Sequence, residues 1–318
     1  MLPTAAFLLA ITTGYAIAFG YGVAVRVIRH LLLAATAVIS ILMCPLIIPA
    51  DQVILRALTS LYAADLVFKV VELRRLATTN HFLLQASNIC RYLIPFPFLL
   101  VVYQERQSLL PFSDKNHKRI TRLFGACLIT LFAIGLFVGA YSFPYATSNF
   151  LLDHTVKVLV FVIFLEAFSR CLYHLERLAG YDTTPIINSL LQSHTVSEFW
   201  QRYNVRVHSW FYLNLFQPSR RASTTYAVVL VFGVNGLLHE LMFGITTSRF
   251  DGYQLMFFLV QIPAVLASRW LRRLAARNSY LKTMVHSATI LWMLLTTMLF
   301  FHGVNRIVPF YSATPWLP

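Results

Sequence analysis

The sequence has little charge, and most of the charge that it has is of one sign. Only 12% of its 318 residues are charged and 58% are hydrophobic, with 26 Lys and Arg against 12 Asp and Glu. Soluble domains carry about 25% charged residues, so this composition excludes an ordinary water-soluble domain and predicts a membrane protein. An excess of basic residues is typical of cytoplasmic loops in membrane proteins, and we expect no nucleic-acid partner.

Cysteine is also scarce, and the usual motifs for a metal ion are missing. Cys44, Cys90, Cys127 and Cys171 lie in or near apolar segments, and no two have the spacing of a zinc or redox motif. We therefore expect four small core residues. The run HELMF, which begins at His239, lacks the second histidine of the zinc-binding HExxH motif. We expect no metal site.

Long apolar runs are distributed along the whole chain. A helix that crosses a bilayer needs about 20 mostly apolar residues. The clear candidates are 4–24, 31–50, 123–144, 224–245, 252–270 and 283–303. Because the first run lacks a basic segment before it, we interpret it as a span and not as a cleaved signal.

Two further segments, 53–72 and 154–174, are long enough to span but carry charged residues. We expect their charges to face inward, because charge that faces lipid is costly. In the first segment Asp65 and Lys69 are four residues apart and can pair on one helix face. With these two segments the sequence predicts an all-α, polytopic membrane helix bundle of about eight spans.

Segment 81–103 is apolar but is interrupted by Arg91, Pro95 and Pro97. Proline breaks a helix interior, and a full crossing here would place the basic loop 104–122 on the outer side. We therefore predict that this segment is re-entrant or interfacial, which leaves both chain ends on the outer side and the basic loops in the cytoplasm.

The stretch from Thr195 to Phe216 is aromatic and basic, and is too polar to cross a bilayer comfortably. Thr195 and Glu198 have the spacing of a capping box, which predicts a helix that starts there and runs to about Phe216. On such a helix Arg202 and Arg206 share one face, while Asn204 points to the opposite side. An interfacial amphipathic helix with snorkelling arginines accounts for the same pattern.

The next apolar run carries Asn235, His239 and Glu240 at membrane depth. Polar and ionisable groups are expensive there, so they indicate a functional site by default. Asn235 and His239 are four residues apart and lie on one helix face. A buried histidine that only hydrogen bonds to a neighbour is the alternative interpretation.

Two sequence blocks carry a resemblance to a known family. They are PIINSLLQSHTVSEFWQRYNVRVHSWFYLNLFQP at 185–218 and VFGVNGLLHEL at 231–241. Together they resemble the membrane-bound O-acyltransferase (MBOAT) superfamily, in particular its wax-synthase-like branch, whose pattern is a proline-led loop, a serine, an FW-x-R-W/Y-N helix and a downstream helix with HE. The FW…N…VH…W portion is also similar to diacylglycerol and sterol acyltransferases. The branch usually has tryptophan where Tyr203 stands, and this departure leaves the donor and acceptor class open.

The resemblance implies an organisation for the chain. It implies a single integral membrane domain over 1–318, with N-terminal helices in 1–122 and an acyltransferase core in 123–318 that contains the motif region 185–245. The expected location is a bacterial inner membrane or the endoplasmic reticulum, and the expected partners are membrane lipids, acyl-CoA and an alcohol. Dimerisation is left open.

The activity that the resemblance implies is transfer of an acyl group from acyl-CoA to the hydroxyl of a lipid or small-molecule alcohol. Acyl-CoA is the donor substrate, and no further cofactor is expected. The resemblance assigns the general base to His239, and a neutral imidazole suits an apolar tunnel because burial disfavours the charged form. Asn204 orients the acceptor or the thioester carbonyl, while Asn235 and Glu240 orient His239.

Further residues are implied to bind substrate. Arg202 and Arg206 are expected to bind the phosphates of coenzyme A, His208 is expected to line the tunnel, and Trp200 and Tyr203 flank the acyl chain or pack the helix. The complete predicted substrate-binding set is His208, Asn235, Glu240, Trp200, Tyr203, Arg202 and Arg206.

Two other classes of protein compete with the enzyme. A transporter or channel could use the intramembrane His, Asn and Glu to bind or relay a solute. It predicts discontinuous helices and often inverted repeats, and the sequence shows no internal repeat. A catalytically silent membrane scaffold is the other alternative, and it leaves Asn204 and His239 unexplained together.

Overall fold

The described part of the chain is helical. The computed structural model describes residues 2–25, 27–28, 31–79, 86–93, 116–142, 149–178 and 183–312. Of these residues 86% are helical and none is in a strand, which confirms the all-α prediction. The α-helices are α1 (Pro3–Ala24), α2 (Leu31–Met43), α3 (Val53–Thr79), α4 (Ala86–Leu93), α5 (Asn116–Ser142), α6 (Phe150–Leu178), α7 (Val196–Tyr203), α8 (Val205–Phe211), α9 (Gln217–Ser219), α10 (Thr224–Thr247), α11 (Tyr253–Ala275) and α12 (Ser279–Ile307).

Five of these helices are long and apolar enough to cross a membrane. They are α1, most of α5, α10, α11 and α12. The predicted span 31–50 is shorter than expected, since α2 passes into a 3₁₀ turn, Cys44–Ile47, that contains Pro45. The two charged helices, α3 and α6, have 27 and 29 residues. The membrane helix bundle is therefore confirmed, while the count of about eight spans stays a prediction.

The chain divides into two compact units. The first contains 1–101, 233–255 and 306–308, and the second contains 102–232, 256–305 and 309–318. One boundary between the two units lies inside α10, between Phe232 and Gly233. The residues of α10 from Gly233 onward, with Asn235, His239 and Glu240 among them, therefore belong to the first unit.

In the first unit, the charged residues of α3 within 53–72 face the interior. Lys69 is fully buried, and its Nζ lies 2.6 Å from Asp65 Oδ2. The same ammonium group donates a hydrogen bond of 3.1 Å to the carbonyl of Leu93 at the end of α4. This confirms the predicted pair, and the pairing of both charges offsets the cost of removing them from water.

Helix α4 is the described part of the segment 81–103. It packs against α1 at Gly22, where an added Cβ would lie 2.8 Å from Ile89 Cγ2. Its 8 residues span about 12 Å at 1.5 Å per residue, which is too short to cross a bilayer. Pro95 and Pro97 lie outside the described residues, so a re-entrant path stays a prediction.

In the second unit, α5 and α6 form a packed pair, and charged residues at the start of α6 hold the C-terminal segment. Lys157 is fully buried between Asp153 Oδ1 at 2.8 Å and Ser312 Oγ at 2.7 Å. The Ser312 N–H in turn donates to Asp153 Oδ2 at 2.7 Å. These contacts confirm the inward orientation predicted for Lys157.

The pair of Glu166 and Arg170, farther along α6, behaves differently. Arg170 pairs with Glu166 at 2.8 Å, but the arginine side chain is 55% exposed. The expectation that all charges of this segment face inward is wrong for Arg170. The physical reason is that the two charges of an i,i+4 pair offset each other at the surface of the protein, where the desolvation cost of the pair is small.

Candidate active site

The predicted helix from Thr195 to Phe216 is broken at Asn204. Helix α7 ends at Tyr203, α8 begins at Val205, and Asn204 between them has φ −142° and ψ 85°. The prediction that Arg202 and Arg206 share one face of a continuous helix is therefore wrong, because the two arginines belong to different helices. The chain beyond α8 continues through a π-helical turn, Tyr212–Phe216, into α9.

The break is stabilised by the loop that precedes α7. Asn188 N–H donates to the carbonyl of Arg202 at 3.0 Å, and Val205 N–H donates to the carbonyl of Ile186 at 2.8 Å. These two bonds replace helical hydrogen bonds that the break removes, so the backbone groups on both sides of Asn204 remain satisfied. The proline-led loop is thus the partner that makes the interruption possible.

The side chain of Asn204 is oriented by its own capping role. Its Oδ1 accepts a hydrogen bond of 3.1 Å from the N–H of Val207 and caps the start of α8. Asparagine is among the preferred residues at this position. Since the oxygen is engaged, the amide nitrogen Nδ2 points away with two N–H donors. Within the described residues, no acceptor binds Nδ2.

The start of α7 is fixed from several sides. Glu198 N–H donates to Thr195 Oγ1 at 3.3 Å, which confirms the predicted cap. The carboxylate of Glu198 accepts from the N–H of His194, one residue before the position that a capping box predicts. Two other helices also bind this turn. Ser268 of α11 accepts a hydrogen bond from Ser197 N–H, and Thr289 of α12 donates one to the carbonyl of His194.

Glu198 is ionised at neutral pH. Burial raises the pKa of its carboxyl group. The hydrogen bonds from His194 and Arg202 lower the pKa by more than burial raises it, so the net shift is downward. The carboxylate therefore stabilises the positive end of the α7 dipole.

The two arginines have different surroundings. Arg202 donates to Glu198 Oε1 at 2.7 Å and to the carbonyl of Ser189 at 3.2 Å, and its side chain is 28% exposed. Arg206 is only 3% exposed and forms a bidentate pair with Glu176, at 3.0 and 2.5 Å. It also donates to the carbonyl of Thr184. Arg206 of α8 therefore joins that helix to α6 through Glu176 and to the loop before α7 through Thr184. These contacts explain why its charge is buried.

Trp200 lies in an aromatic cluster of the second unit. Its ring contacts Tyr203 edge-on at 5.7 Å, Phe232 at 5.4 Å and Phe258 at 5.5 Å between centroids. Its indole nitrogen Nε1 is buried and has no hydrogen-bond acceptor within the described residues. A buried N–H without an acceptor is costly, and such a group is suited to donate to a bound ligand.

Tyr203 and His208 flank the break on either side. The Tyr203 ring stacks on Phe199 with 5.8 Å between centroids, and burial raises the pKa of its hydroxyl. Burial lowers the pKa of His208 below its ordinary value. The imidazole of His208 is therefore neutral at pH 7.

His239 lies in the first unit, where its tautomer is fixed by the backbone. Its Nδ1 is 2.9 Å from the carbonyl oxygen of Asn235, one helical turn earlier. A carbonyl can only accept, so Nδ1 carries the hydrogen. In the neutral ring the lone pair is then on Nε2, the nitrogen that can take up a proton. Asn235 thus acts on His239 through its backbone carbonyl.

The carboxylate of Glu240 lies at the turn between α10 and α11. Its carboxylate accepts from the N–H of Gly252 at 2.9 Å and of Leu255 at 3.3 Å. Gly252 has φ +80°, a backbone conformation that favours glycine. Glu240 therefore caps the start of α11 and closes the turn that follows α10, which holds the helix of His239 from one side.

Arg56 of α3 binds the C-terminal end of the same helix, α10. It is buried, and its guanidinium donates to the carbonyl of Ile245 at 3.1 Å, to Ser248 Oγ at 2.9 Å and to the carbonyl of Ile48 at 2.8 Å. A cation at a helix C-terminus also complements the helix dipole. The last turn of α10 is therefore fixed to α3.

The structure thus groups the predicted site residues in two sets. The second unit contains Trp200, Arg202, Tyr203, Asn204, Arg206 and His208, and the first contains Asn235, His239 and Glu240. A common role for Asn204 and His239 stays a prediction.

Comparisons with known proteins add an independent finding. The chain is similar in part to diacylglycerol O-acyltransferases. It is 23% identical over 211 residues to diacylglycerol O-acyltransferase 1-2 of Oryza sativa subsp. japonica, covering 59% of this chain and 43% of that protein. It is 24% identical over 153 residues to diacylglycerol O-acyltransferase 1 of Bos taurus, covering 46% and 30%. With diacylglycerol O-acyltransferase 1 of Corylus americana it shares 28% identity over 93 residues, covering 29% and 17%.

The similarity to the diacylglycerol O-acyltransferases is limited in extent. The chain spans less than half the length of the three relatives. No family model matches the chain.

Three functional features of the structure were not predicted from the sequence. The cap at Asn204 could have been found, because asparagine is a preferred N-cap residue. The pair of Arg206 with Glu176 and the contacts of Arg56 with α10 join positions that are distant in the chain, so no local pattern indicates them.

Proposed function

We propose that this protein is a membrane-embedded O-acyltransferase that moves an acyl group from acyl-CoA to the hydroxyl of a lipid or small-molecule alcohol. The partial similarity to diacylglycerol O-acyltransferases supports this class. The observation that carries the proposal is the hydrogen bond from His239 Nδ1 to the Asn235 carbonyl, because it leaves the lone pair of the neutral ring on Nε2 at membrane depth. The chain is proposed to belong to the membrane-bound O-acyltransferases, in the wax-synthase-like branch.

His239 is the general base of the proposed reaction. Nε2 removes the proton of the acceptor hydroxyl as its oxygen attacks the thioester carbonyl. The C–S bond then breaks, and the thiolate of coenzyme A receives the proton from the imidazolium. The backbone acceptor at Nδ1 keeps the ring in one tautomer through the cycle and stabilises the charged form when it arises.

Asn204 stabilises the negative charge that develops on the carbonyl oxygen. Its Oδ1 is held by Val207 N–H, which fixes the direction of the amide group before substrate arrives. The two N–H donors of Nδ2 can then bind the oxyanion without reorganisation. We therefore assign Asn204 to the thioester carbonyl, the second of the two roles that the resemblance left open.

The alcohol that accepts the acyl group distinguishes a wax-ester synthase from a related acyltransferase. The experiment uses the purified protein in lipid nanodiscs with acetyl-CoA or long-chain acyl-CoA as donor. Release of coenzyme A is measured with a long-chain primary alcohol, diacylglycerol or a short polar alcohol. The proposal predicts release that depends on one of these alcohols, with the long-chain primary alcohol as the preferred acceptor. Thioester hydrolysis at the same rate without any alcohol would contradict transfer.

Trp200 is proposed to donate its indole N–H to an oxygen atom of the bound substrate. Replacing Trp200 by phenylalanine keeps an aromatic ring in the cluster but removes the donor. One lost hydrogen bond of about 1–1.5 kcal/mol predicts a fall of kcat/KM of about tenfold. The matched control is Trp292→Phe, since Trp292 Nε1 already donates to Gln261 Oε1 at 3.1 Å. An equal fall of kcat/KM in both variants would contradict the role of Trp200.

Arg202 is proposed to bind a phosphate of coenzyme A. It is preferred to Arg206 because Arg206 is engaged in a buried ion pair with Glu176. Arg202→Gln is expected to raise the KM for long-chain acyl-CoA several-fold while the KM for the alcohol is unchanged, because only the donor carries phosphates. Arg170→Gln is the control, since Arg170 also pairs with a glutamate four residues earlier. If Arg202→Gln changes only the alcohol dependence, the phosphate role is wrong.

A further inference from the structure

Two cysteines that are distant in sequence meet between α5 and α6. Cys127 Sγ and Cys171 Sγ are 3.2 Å apart, although the residues are 44 positions apart in the chain. Both side chains are partly exposed, and both carry thiols. We propose that Cys127 and Cys171 form a redox-active dithiol that a small disulfide such as oxidised glutathione converts to a disulfide bond between α5 and α6.

The distance supports this reaction. A disulfide requires the two sulfur atoms to approach to about 2.05 Å, so the thiols need to move by only about 1 Å from their present contact. Helices α5 and α6 already pack against each other, and Ala126, the residue before Cys127, is buried. Bond formation therefore preserves the arrangement of the two helices.

The surroundings give the thiols access to a water-soluble oxidant. Arg122 precedes Cys127 by five residues on α5, and Arg170 is adjacent to Cys171 on α6. Both arginines are exposed, and both interact electrostatically with His174 of α6. Because exposed charge is costly in the apolar part of a membrane, the two arginines favour a position of the thiol pair near the aqueous boundary.

The exchange proceeds in two steps that balance. A thiolate of one cysteine attacks the disulfide of oxidised glutathione, forms a mixed disulfide and releases one reduced glutathione. The thiolate of the second cysteine then displaces the bound glutathione and forms the Cys127–Cys171 bond. Two protein thiols are oxidised, one glutathione disulfide is reduced to two glutathione molecules, and no other reactant is needed.

Cys44 is the natural comparison within the same chain. Its thiol is buried and lies 3.4 Å from the carbonyl of Ser40, one turn earlier in α2. The Cys44 thiol contacts a backbone carbonyl and not a second thiol. Because it is buried, a soluble oxidant does not reach it. Oxidation is therefore expected to be selective for the Cys127–Cys171 pair.

The test incubates the full chain in detergent micelles with oxidised glutathione and blocks remaining thiols with a maleimide under denaturing conditions. We expect two of the 4 cysteines to be protected, and digestion to yield a peptide pair that joins Cys127 to Cys171. The double variant Cys44→Ser/Cys90→Ser should give the same cross-link, and reduction should release it.

Cys127→Ser and Cys171→Ser provide the negative arm, with folding checked by an unchanged elution profile. Each is expected to give at most a glutathione adduct on the remaining cysteine of the Cys127–Cys171 pair and no cross-linked peptide. The proposal is overturned if the wild-type protein retains four reactive thiols, carries only glutathione adducts, or forms disulfides between two chains.

Discussion

Replacing His239 by alanine is expected to lower kcat for acyl transfer by about 10²–10⁴-fold, the usual contribution of a positioned general base. The loss follows because no other group then removes the proton of the acceptor hydroxyl. His239→Gln should lose a similar factor, since a glutamine side chain has polar atoms but cannot take up a proton at neutral pH. The measurement is release of coenzyme A from long-chain acyl-CoA under saturating alcohol.

The control for His239 is His174→Ala, which removes a histidine at the end of α6. We expect its kcat to stay within a few-fold of the wild-type value. Size-exclusion profiles and thermal unfolding in the same detergent separate loss of chemistry from loss of folding. A folded His239→Ala protein with wild-type turnover would falsify the assignment of the base.

Replacing Arg206 by alanine is expected to reduce the free energy of unfolding by about 3–5 kcal/mol, because it leaves the buried carboxylate of Glu176 without its cation. Arg206 and Glu176 are 3% and 7% exposed and share two hydrogen bonds. The same change also removes the donors to the carbonyl of Thr184. Denaturant unfolding in detergent micelles measures the effect.

The matched control for Arg206 lies four residues earlier. Arg202→Ala breaks a pair with Glu198 whose two side chains are 28% and 24% exposed, and such pairs contribute about 0–1 kcal/mol. The double variant Arg206→Met/Glu176→Leu should be more stable than Arg206→Ala, because it removes both buried charges together. Equal destabilisation by Arg202→Ala and Arg206→Ala would contradict the account of the buried pair.

Local patterns in the sequence predicted the features that depend on near neighbours. The four-residue spacing of Asp65 and Lys69 gave their buried pair, and the Thr195 and Glu198 spacing gave the start of α7. Apolar length predicted the five helices that can cross a membrane. The two residues of each pair lie within about one helical turn, where helical periodicity determines which side chains are neighbours.

The remaining features depend on partners that are remote in the chain. The break at Asn204 depends on backbone hydrogen bonds with Ile186 and Asn188. Helical periodicity does not predict these hydrogen bonds, because their partners lie outside the helix. Glu240 accepts a hydrogen bond from Gly252 in the turn before α11, twelve residues later in the chain. The contact of Cys127 with Cys171 is a further case, since the spacing of the two residues matches no motif.

The most direct test of acyl transfer follows the acyl group itself. The purified chain in nanodiscs is given acyl-CoA with an isotopically labelled acyl chain and a long-chain primary alcohol, and the lipid products are analysed by mass spectrometry. The account predicts a labelled ester with the wild-type protein and none above background with His239→Gln. Absence of labelled ester from the wild-type protein with every alcohol supplied, or equal amounts from both proteins, would contradict it.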